Sequence, residues 1–285
     1  MLTALLGNGS IIHASKYEAD EHGYEIYCID PSCRAPVIFV EKTERAKEHF
    51  KTIGKDASSR HRPGCGFYEP LDIVSAINKT AEYQPTILNS KSVPKHIITL
   101  NLRRLDPDYE KRESGVREKK SKDDEEVKVK DTPDQPGTIS SMKGIVKLLT
   151  SYEPDILASI YINTHSRKLP LSNVVLSPDK AYETLWEGQP IPDFPYFIYG
   201  KISRVTRLEK VMYLDFHDPS GDRPFTIVVF EKYYAHFKYK PDEIENKDVL
   251  VYGTLRKNDY SGKQKTEIIL KTDKFLEFIQ RRMQH

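Results

Sequence analysis

Hydrophobic and polar residues alternate with a period of two in the region that begins at Phe194. This period predicts β-strands, because successive side chains of a strand point to opposite faces. A helical stretch, Glu231–Phe237, and a polar loop, Lys238–Asn246, separate three strand-like runs from two further ones. The five predicted strands are Tyr196–Thr206, Val211–His217, Pro224–Phe230, Asp248–Leu255 and Lys265–Thr272.

The pattern is helical in the preceding segment, residues 138–193. Apolar residues recur there every three or four positions in Thr138–Leu149 and Pro154–Ile162, which predicts two helices. A third predicted helix begins after Ser177, which is an N-cap residue followed by proline, and ends at Gly188.

Short strands and tight turns are predicted at the start of the chain. Gly7-Asn8-Gly9 provides the turn of a hairpin within residues 3–14. Tyr24–Cys28 and Ala35–Val40 are two further predicted strands, and Glu41–Lys51 is predicted to form a short helix.

Residues 105–137 have almost no apolar side chains and an excess of acidic ones. Such a segment buries too little surface to offset its ordering entropy, which predicts a flexible acidic linker. The alternative is a solvated helix with ion pairs over Tyr109–Val129. The chain therefore divides into an N-terminal module, residues 1–104, this linker, a helical segment, residues 138–193, and a strand-rich region, residues 194–285.

All three cysteines lie in the N-terminal module, on turns that contain proline or glycine. Cys28 and Cys33 flank one turn, and His61 and Cys65 flank a second, in the pattern C-x4-C-x27-H-x3-C. Two close pairs of nitrogen and sulfur ligands are typical of tetrahedral zinc, so we predict a zinc ion bound by these four residues. Since four protein ligands leave no position for water, the predicted site is structural. Three buried free cysteines with a surface histidine are the alternative, and His49 is an alternative fourth ligand.

The N-terminal module resembles the corresponding region of competence protein CoiA-like families over about residues 1–70. This resemblance implies a protein that handles DNA in bacteria or their mobile elements. Members of that family often carry a nuclease-like domain after this region, and we find none in the sequence. The matching residues are His13-Ala14, Tyr27-Cys28, Cys33, Pro36-Val37, His49-Phe50, and His61 with Cys65.

Three strands, a helix and two strands form the plan of the five-stranded OB barrel. Gly200 and Gly253 lie within predicted strands, where a small barrel needs bends or a close backbone approach. The segments YGKISRV, MYLDFHDPSG and KDVLVYGTLR resemble the OB domains of single-strand DNA-binding proteins and related nucleases. We therefore expect an α+β multi-domain chain: a small β-rich zinc module, a helical connecting segment and a C-terminal five-stranded OB-type β-barrel.

Charge and aromatic residues indicate what such a barrel would bind. The whole chain has 44 basic and 42 acidic side chains, whereas residues 194–285 have 17 and 13. Single-stranded nucleic acids bind to aromatic platforms for bases and cations for phosphates. A solvated basic surface and half-buried tyrosines are the alternative interpretation. The candidate contact residues are Tyr199, Lys201, Arg204, Arg207, Tyr213, Tyr252, Arg256, Lys257, Tyr260, Lys263 and Lys265.

These observations lead to a hypothesis of a non-catalytic, cytoplasmic protein that binds single-stranded DNA, or RNA in its place. Neither a phosphate-binding loop, a dinucleotide fingerprint, a serine-hydrolase elbow nor a zinc-protease motif occurs in the sequence. No apolar run approaches the ~20 residues that span a membrane. The alternatives are an adaptor that docks a nuclease or helicase subunit, and a metal-dependent nuclease with an unrecognised site.

Overall fold

The computed structural model describes residues 1–109, 137–164, 166–260 and 262–279. It has the expected mixed α+β architecture, with a small N-terminal β module, several helices and a closed five-stranded barrel in the C-terminal region. Most of the predicted linker, residues 110–136, lies outside the described residues. Among those described, we find no helix with the length and apolar character that a membrane crossing requires.

The N-terminal module contains two small sheets. Its β1 (Thr3–Leu6) lies between β2 (Ile11–His13) and β3 (Ile26–Cys28), and the predicted turn joins β1 to β2. A one-turn helix, α1 (Ala19–His22), precedes β3. The second sheet is an antiparallel pair, β4 (Val37–Val40) with β5 (His49–Thr52).

The predicted helix Glu41–Lys51 is wrong. The chain has no helix there, and β5 begins at His49. The only apolar side chains of that stretch that could pack are Ala46 and Phe50, which is too few for a buried helical face. Strand geometry instead turns Phe50 into the core, where its ring lies 5.5 Å from that of Tyr17 and 5.7 Å from that of Phe39.

The middle of the chain forms a four-stranded sheet rather than a set of helices alone. After α2 (Ile73–Asn89), a segment for which no element was predicted, comes β6 (His96–Leu100). This strand pairs in parallel with β7 (Gly137–Ile139) on one side and β8 (Ile160–Thr164) on the other. Strand β9 (Arg167–Pro170) is the edge strand and runs antiparallel to β8.

Two helices connect these strands, and one is shorter than predicted. The predicted helix Thr138–Leu149 forms as α3 (Met142–Ser151), and its first two residues belong instead to β7. However, α4 (Pro154–Ala158) ends before Ile160, where the chain becomes β8. The β-branched residues Ile160 and Ile162 alternate with less buried neighbours, which fits a strand that packs on one face.

A short segment leads into the barrel. Strand β10 (Val175–Leu176) precedes α5 (Pro178–Tyr182), whose N-cap is Ser177 as predicted: its hydroxyl accepts a hydrogen bond from the Lys180 amide. One turn of π-helix, Glu183–Glu187, follows and ends at Gly188.

The five barrel strands form where the period-two pattern predicts them. They pair in the order β11-β12-β13-β15-β14, and β14 pairs again with β11, so the sheet closes on itself. The third and fifth strands are parallel, and a 3-10 turn and α6 (Pro241–Ile244) lie between the third and fourth. This order matches the OB plan. The strands are β11 (Pro195–Arg207), β12 (Val211–Phe216), β13 (Phe225–Phe230), β14 (Asp248–Asn258) and β15 (Lys265–Ile269), with β16 (Leu276–Phe278) added beside β14.

The absence of a side chain at Gly253 allows the backbone of β14 to pack directly against the side chain of Ile268. A Cβ atom at this position would lie 2.8 Å from Cγ1 of Ile268, and one at Gly200 would lie 2.9 Å from the ring of Phe216. Because both neighbours are buried, neither can move without disturbing the packing.

We expect Gly253→Ala to lower the free energy of unfolding by about 1–3 kcal/mol, since the added methyl overpacks the barrel. Urea denaturation measures the change. Thr254→Ala, at the next and exposed position, is the control and should cost less than about 1 kcal/mol. Equal losses in the two variants would contradict the close approach at Gly253.

Candidate metal centre and barrel surface

The four predicted metal ligands come together in one cluster. Their ligand atoms all lie within 4.8 Å of one another. The Sγ atoms of Cys28 and Cys65 are 3.7 Å apart, and Nδ1 of His61 lies 3.6 Å from Sγ of Cys33 and 3.5 Å from Sγ of Cys65. An ion with tetrahedral bonds of about 2.3 Å to sulfur and about 2.0 Å to nitrogen requires separations of about 3.8 Å and about 3.5 Å. The cluster therefore has the dimensions to hold a metal ion.

The surroundings of Cys65 favour the thiolate form that binds metals, whereas the hydrogen bond to Cys65 and burial raise the pKa of Cys28. All three cysteines are buried, and the Phe67 amide donates a hydrogen bond to Sγ of Cys65 at 3.4 Å. Hydrogen bonding by the Cys28 thiol, helped by His61, lowers the pKa of Cys65 to about 5 against the opposing effect of burial. A thiolate that accepts several hydrogen bonds is ready to ligate a cation.

His49 is not part of the cluster. Its Nδ1 donates to the carbonyl of Lys47 at 2.9 Å, in the turn before β5. Of the two candidates for the fourth ligand, the structure therefore favours His61.

A buried carboxylate, Asp30, joins the two turns that carry the ligands. Its side chain is 0% exposed. Oδ1 accepts from the amide and hydroxyl of Ser32, in the first turn, and Oδ2 accepts from the Gly66 amide at 3.0 Å, in the second. Oδ2 also accepts from the Tyr83 hydroxyl and pairs with Nζ of Lys79 at 2.9 Å, both on α2. Burial alone would raise the pKa of Asp30, but these donors hold it well below its usual value.

A row of charged residues crosses the outer face of the barrel. The strand register places one residue of each barrel strand side by side in this row, four of them charged and one a threonine. They are Arg204 on β11, Asp215 on β12, Thr226 on β13, Glu267 on β15 and Arg256 on β14. Arg204 pairs with Asp215 at 3.0 Å and Arg256 pairs with Glu267 at 3.1 Å. Three of the predicted phosphate contacts are therefore already paired with carboxylates, because Lys265 also lies within 3.7 Å of Asp215.

The hairpin between β14 and β15 presents the most exposed candidate. Tyr260 is 97% exposed, and Lys263, beside it on the hairpin, is also exposed. Lys265 lies at the base of the hairpin, with its Nζ 5.9 Å from the ring centre of Tyr213 on β12 and 3.7 Å from Asp215. These residues share one edge of the barrel face.

Two of the tyrosines predicted to stack on bases are buried. Tyr199 and Tyr252 were expected to face solvent, and both are buried. Tyr199 lies where α5 covers β11, and Tyr252 packs 4.8 Å from the ring of Phe197 and 5.6 Å from that of Phe275. Burial raises the pKa of Tyr252 to about 12. The strand pattern could not show this, because the outer faces of β11 and β14 are covered by elements from elsewhere in the chain.

The remaining candidates are exposed but dispersed. Arg207 stacks over the ring of Tyr234 at 4.7 Å, and Lys257 stacks over that of Trp186 at 4.8 Å. Lys201 is exposed on β11. The structure therefore concentrates the single-strand candidates at Tyr213, Tyr260, Lys263 and Lys265, rather than over the whole predicted set.

Sequence reasoning missed Asp30 and Glu267. Asp30 lies between two cysteine ligands, in a Cys-Ile-Asp-Pro sequence, which is the signal that could have identified it. Asp215 and Glu267 occupy outward positions of strands whose pattern was recognised, but their pairing depends on register between strands distant in sequence.

Comparisons with known proteins give fold-level likenesses only. No protein-family model matches the chain, and a search of curated proteins gives no significant match. Asparaginyl-tRNA synthetase from Pyrococcus horikoshii is similar over 38% of this chain, at 14% identity and a TM-score of 0.26, and the match spans 23% of that protein. A chain of the Stn1-Ten1 complex of S. pombe is similar over 34% of this chain and 65% of that chain, at 20% identity and a TM-score of 0.25. An OBody bound to hen egg-white lysozyme is similar over 31% of this chain and 82% of the OBody chain, at 10% identity and a TM-score of 0.22.

We expect His61→Ala to lose bound metal and to melt at a lower temperature, because three thiolates cannot complete the tetrahedron. The purified chain should contain about one ion, as four-ligand sites do. Elemental analysis and thermal melting are the measurements. His49→Ala is the control and should keep the metal; loss of metal from this variant alone would assign the fourth ligand to His49.

We expect Asp30→Ala to lower the free energy of unfolding by about 3–5 kcal/mol, because it leaves Lys79 and Tyr83 without their buried acceptor. Glu82→Ala removes the other carboxylate that pairs with Lys79, at 2.9 Å, and this exposed pair should contribute less than about 1 kcal/mol. Denaturant titration distinguishes the two. Similar losses would show that Asp30 has no special role.

Proposed function

We propose that the protein binds single-stranded DNA, or RNA in its place, along the edge of the barrel formed by Tyr213 and the β14–β15 hairpin. The exposure of Tyr260 carries this proposal: a tyrosine that is 97% exposed has no packing role. Single strands need aromatic faces for bases, which are sequence-tolerant because every base can stack. Lys263 and Lys265 supply the neighbouring cations for phosphates.

The charged row shapes how a strand would bind. Arg204 and Arg256 already face Asp215 and Glu267, so phosphates gain less from these arginines than from Lys263, which has no ion pair within the described part of the chain. The ion-paired carboxylates offer no attraction to phosphates at the centre of the face. A strand should therefore run with its phosphates along the hairpin and its bases toward the barrel.

We propose zinc as the metal of the N-terminal cluster. Three thiolates and one imidazole are a donor set that zinc accepts in structural sites, and the ligand separations agree with its bond lengths. All four positions of a tetrahedron are taken by protein atoms, so the site stabilises a fold and offers no place for an activated water. This supports a non-catalytic protein.

The CoiA-like residues of the N-terminal module support a place in bacterial or mobile-element DNA processing or defence, in the cytoplasm. In this proposal the metal module is a second contact to DNA or to a partner. Two contacts on one chain raise the overall affinity, because the second binding event becomes intramolecular.

An adaptor function, in which the barrel docks a protein subunit, is the second candidate, and the nearly balanced charge of the chain favours it. The chain has 44 basic and 42 acidic side chains, a net charge of +2, which gives little overall attraction to a polyanion. An adaptor would bind nucleic acid weakly and would co-purify with a nuclease or helicase subunit.

We expect Tyr260→Ala to weaken single-stranded DNA binding by roughly 5- to 150-fold, which corresponds to about 1–3 kcal/mol for one stacked base. Fluorescence anisotropy of labelled single-stranded DNA, duplex DNA and RNA, across a salt series, measures it. Tyr260→Phe is the matched control, since it keeps the aromatic ring, and it should bind single-stranded DNA about as tightly as the unchanged chain.

Three outcomes of this titration are decisive. A salt-dependent preference for single strands that Tyr260→Ala reduces supports the proposal. Absence of binding at low salt overturns it and favours the adaptor. Shortening of the oligonucleotide when magnesium or manganese is added would contradict the non-catalytic assignment and favour a nuclease.

A further inference from the structure

A cavity of about 730 Å³ opens between the barrel and the short segment that follows β6. Its floor is the outer surface of β13, β14 and β15, away from the β14–β15 hairpin. Its wall is the segment of residues 103–109, which contains a 3-10 turn, Arg103–Leu105. Small-molecule sites typically have volumes of roughly 300–1,000 Å³, so the cavity is large enough for a ligand of nucleotide size.

Ion pairs fix this wall to the barrel. Nζ of Lys271 lies 3.0 Å from a carboxylate oxygen of Asp106 and 3.0 Å from one of Asp108. Asp108 also accepts a hydrogen bond from the Tyr233 hydroxyl at 2.6 Å. The acidic groups of the wall are therefore held by barrel residues, which preorganises the cavity, and the Lys271 ammonium offsets the charge of one of the two carboxylates. Asp193 is a third acidic residue that lines the cavity.

The floor is aromatic. Tyr252 and Phe275 lie buried at its base, the half-buried ring of Phe230 lines it, and Tyr109, 45% exposed, stands at its wall. The accessible rings of Phe230 and Tyr109 form a surface on which a planar base can stack.

The rim is cationic. Arg103 and Lys232 line the cavity, and neither forms an ion pair among the residues that the structure describes. Lys232 lies over the ring of Tyr233, 4.6 Å from its centre, which keeps the ammonium at the cavity mouth. A flat aromatic group joined to an anion fits this combination of surfaces.

We infer that the cavity binds a nucleoside monophosphate, with the base on the aromatic floor and the phosphate at Arg103 and Lys232. The ligand is either a free nucleotide or the 5′-terminal nucleotide of a strand. In the second case the inference rests on the proposed single-strand function. Strand β14 connects the two surfaces: Thr254 lines the cavity, and Tyr260 lies six residues on, about 20 Å along an extended strand.

Calorimetric titration of the full chain with adenosine 5′-monophosphate tests the inference. We expect saturable binding that Arg103→Ala weakens at least fivefold, as the loss of a hydrogen bond to a charged group would do. Arg104→Ala is the matched control, since Arg104 is the exposed neighbour that does not line the cavity. Tyr109→Ala should also weaken binding, whereas Tyr68→Ala, at a tyrosine of similar exposure elsewhere, should not.

Further titrations distinguish a free nucleotide from a strand terminus, and the cavity proposal from the hairpin proposal. Tighter binding of a 5′-phosphorylated oligonucleotide than of its 5′-hydroxyl form, lost in Arg103→Ala, identifies a strand terminus; equal binding of the two, with the mononucleotide still bound, identifies a free nucleotide. Absence of saturable mononucleotide binding, or equal effects of Arg103→Ala and Arg104→Ala, overturns the inference. The hairpin proposal is judged separately, because Tyr260→Ala should leave mononucleotide affinity unchanged.

Discussion

The buried carboxylate of Asp30 is the interaction on which the N-terminal half depends. One charged group receives donors from both ligand-bearing turns and from helix α2, so three segments that are distant in sequence share one acceptor. Leaving such a group unpaired costs several kcal/mol, which means that the three segments order together. The approach is close enough that Gly66 has no room for a side chain beside the Tyr83 hydroxyl. The four residues that could hold a metal ion and the packing of α2 are therefore linked in this module.

Ion pairs on the outer face of the barrel limit what that face can bind. Its strands bring two carboxylates into the row that two arginines also occupy, and the pairs neutralise one another. An OB barrel with this row cannot present a uniformly cationic groove, and the positive potential moves to the hairpin and to the rim of the cavity. The modest excess of 17 basic over 13 acidic side chains in residues 194–285 is consequently distributed to the edges.

The sequence predicted the parts of the structure that depend on local pattern. The five barrel strands agree with their period-two runs to within a few residues at each end, and the metal ligands follow from their spacing on turns. The middle sheet was not predicted, because its parallel strands β6, β7 and β8 come from separate parts of the chain and β6 is only five residues long. The burial of Tyr199 and Tyr252 was missed for a related reason: periodicity distinguishes the two faces of a strand, but it does not show which elements cover the outer face.

Helix α2 connects the metal module to the cavity wall. Tyr83 and Ile87 of this helix belong to the core of the N-terminal module, while Ile73 and Ile77 belong to the core that continues into the barrel. The chain then passes through Val93, buried in the first core, to β6 and directly to Arg103 at the cavity. Because Lys79 and Tyr83 are held by Asp30, loosening the metal module would remove support from one end of α2 and from the start of β6. Packed elements of this kind transmit strain because protein interiors have few voids in which to absorb it. The N-terminal module and the segment that leads to the cavity wall thus share one packed helix, α2, whose Lys79 and Tyr83 are held by Asp30.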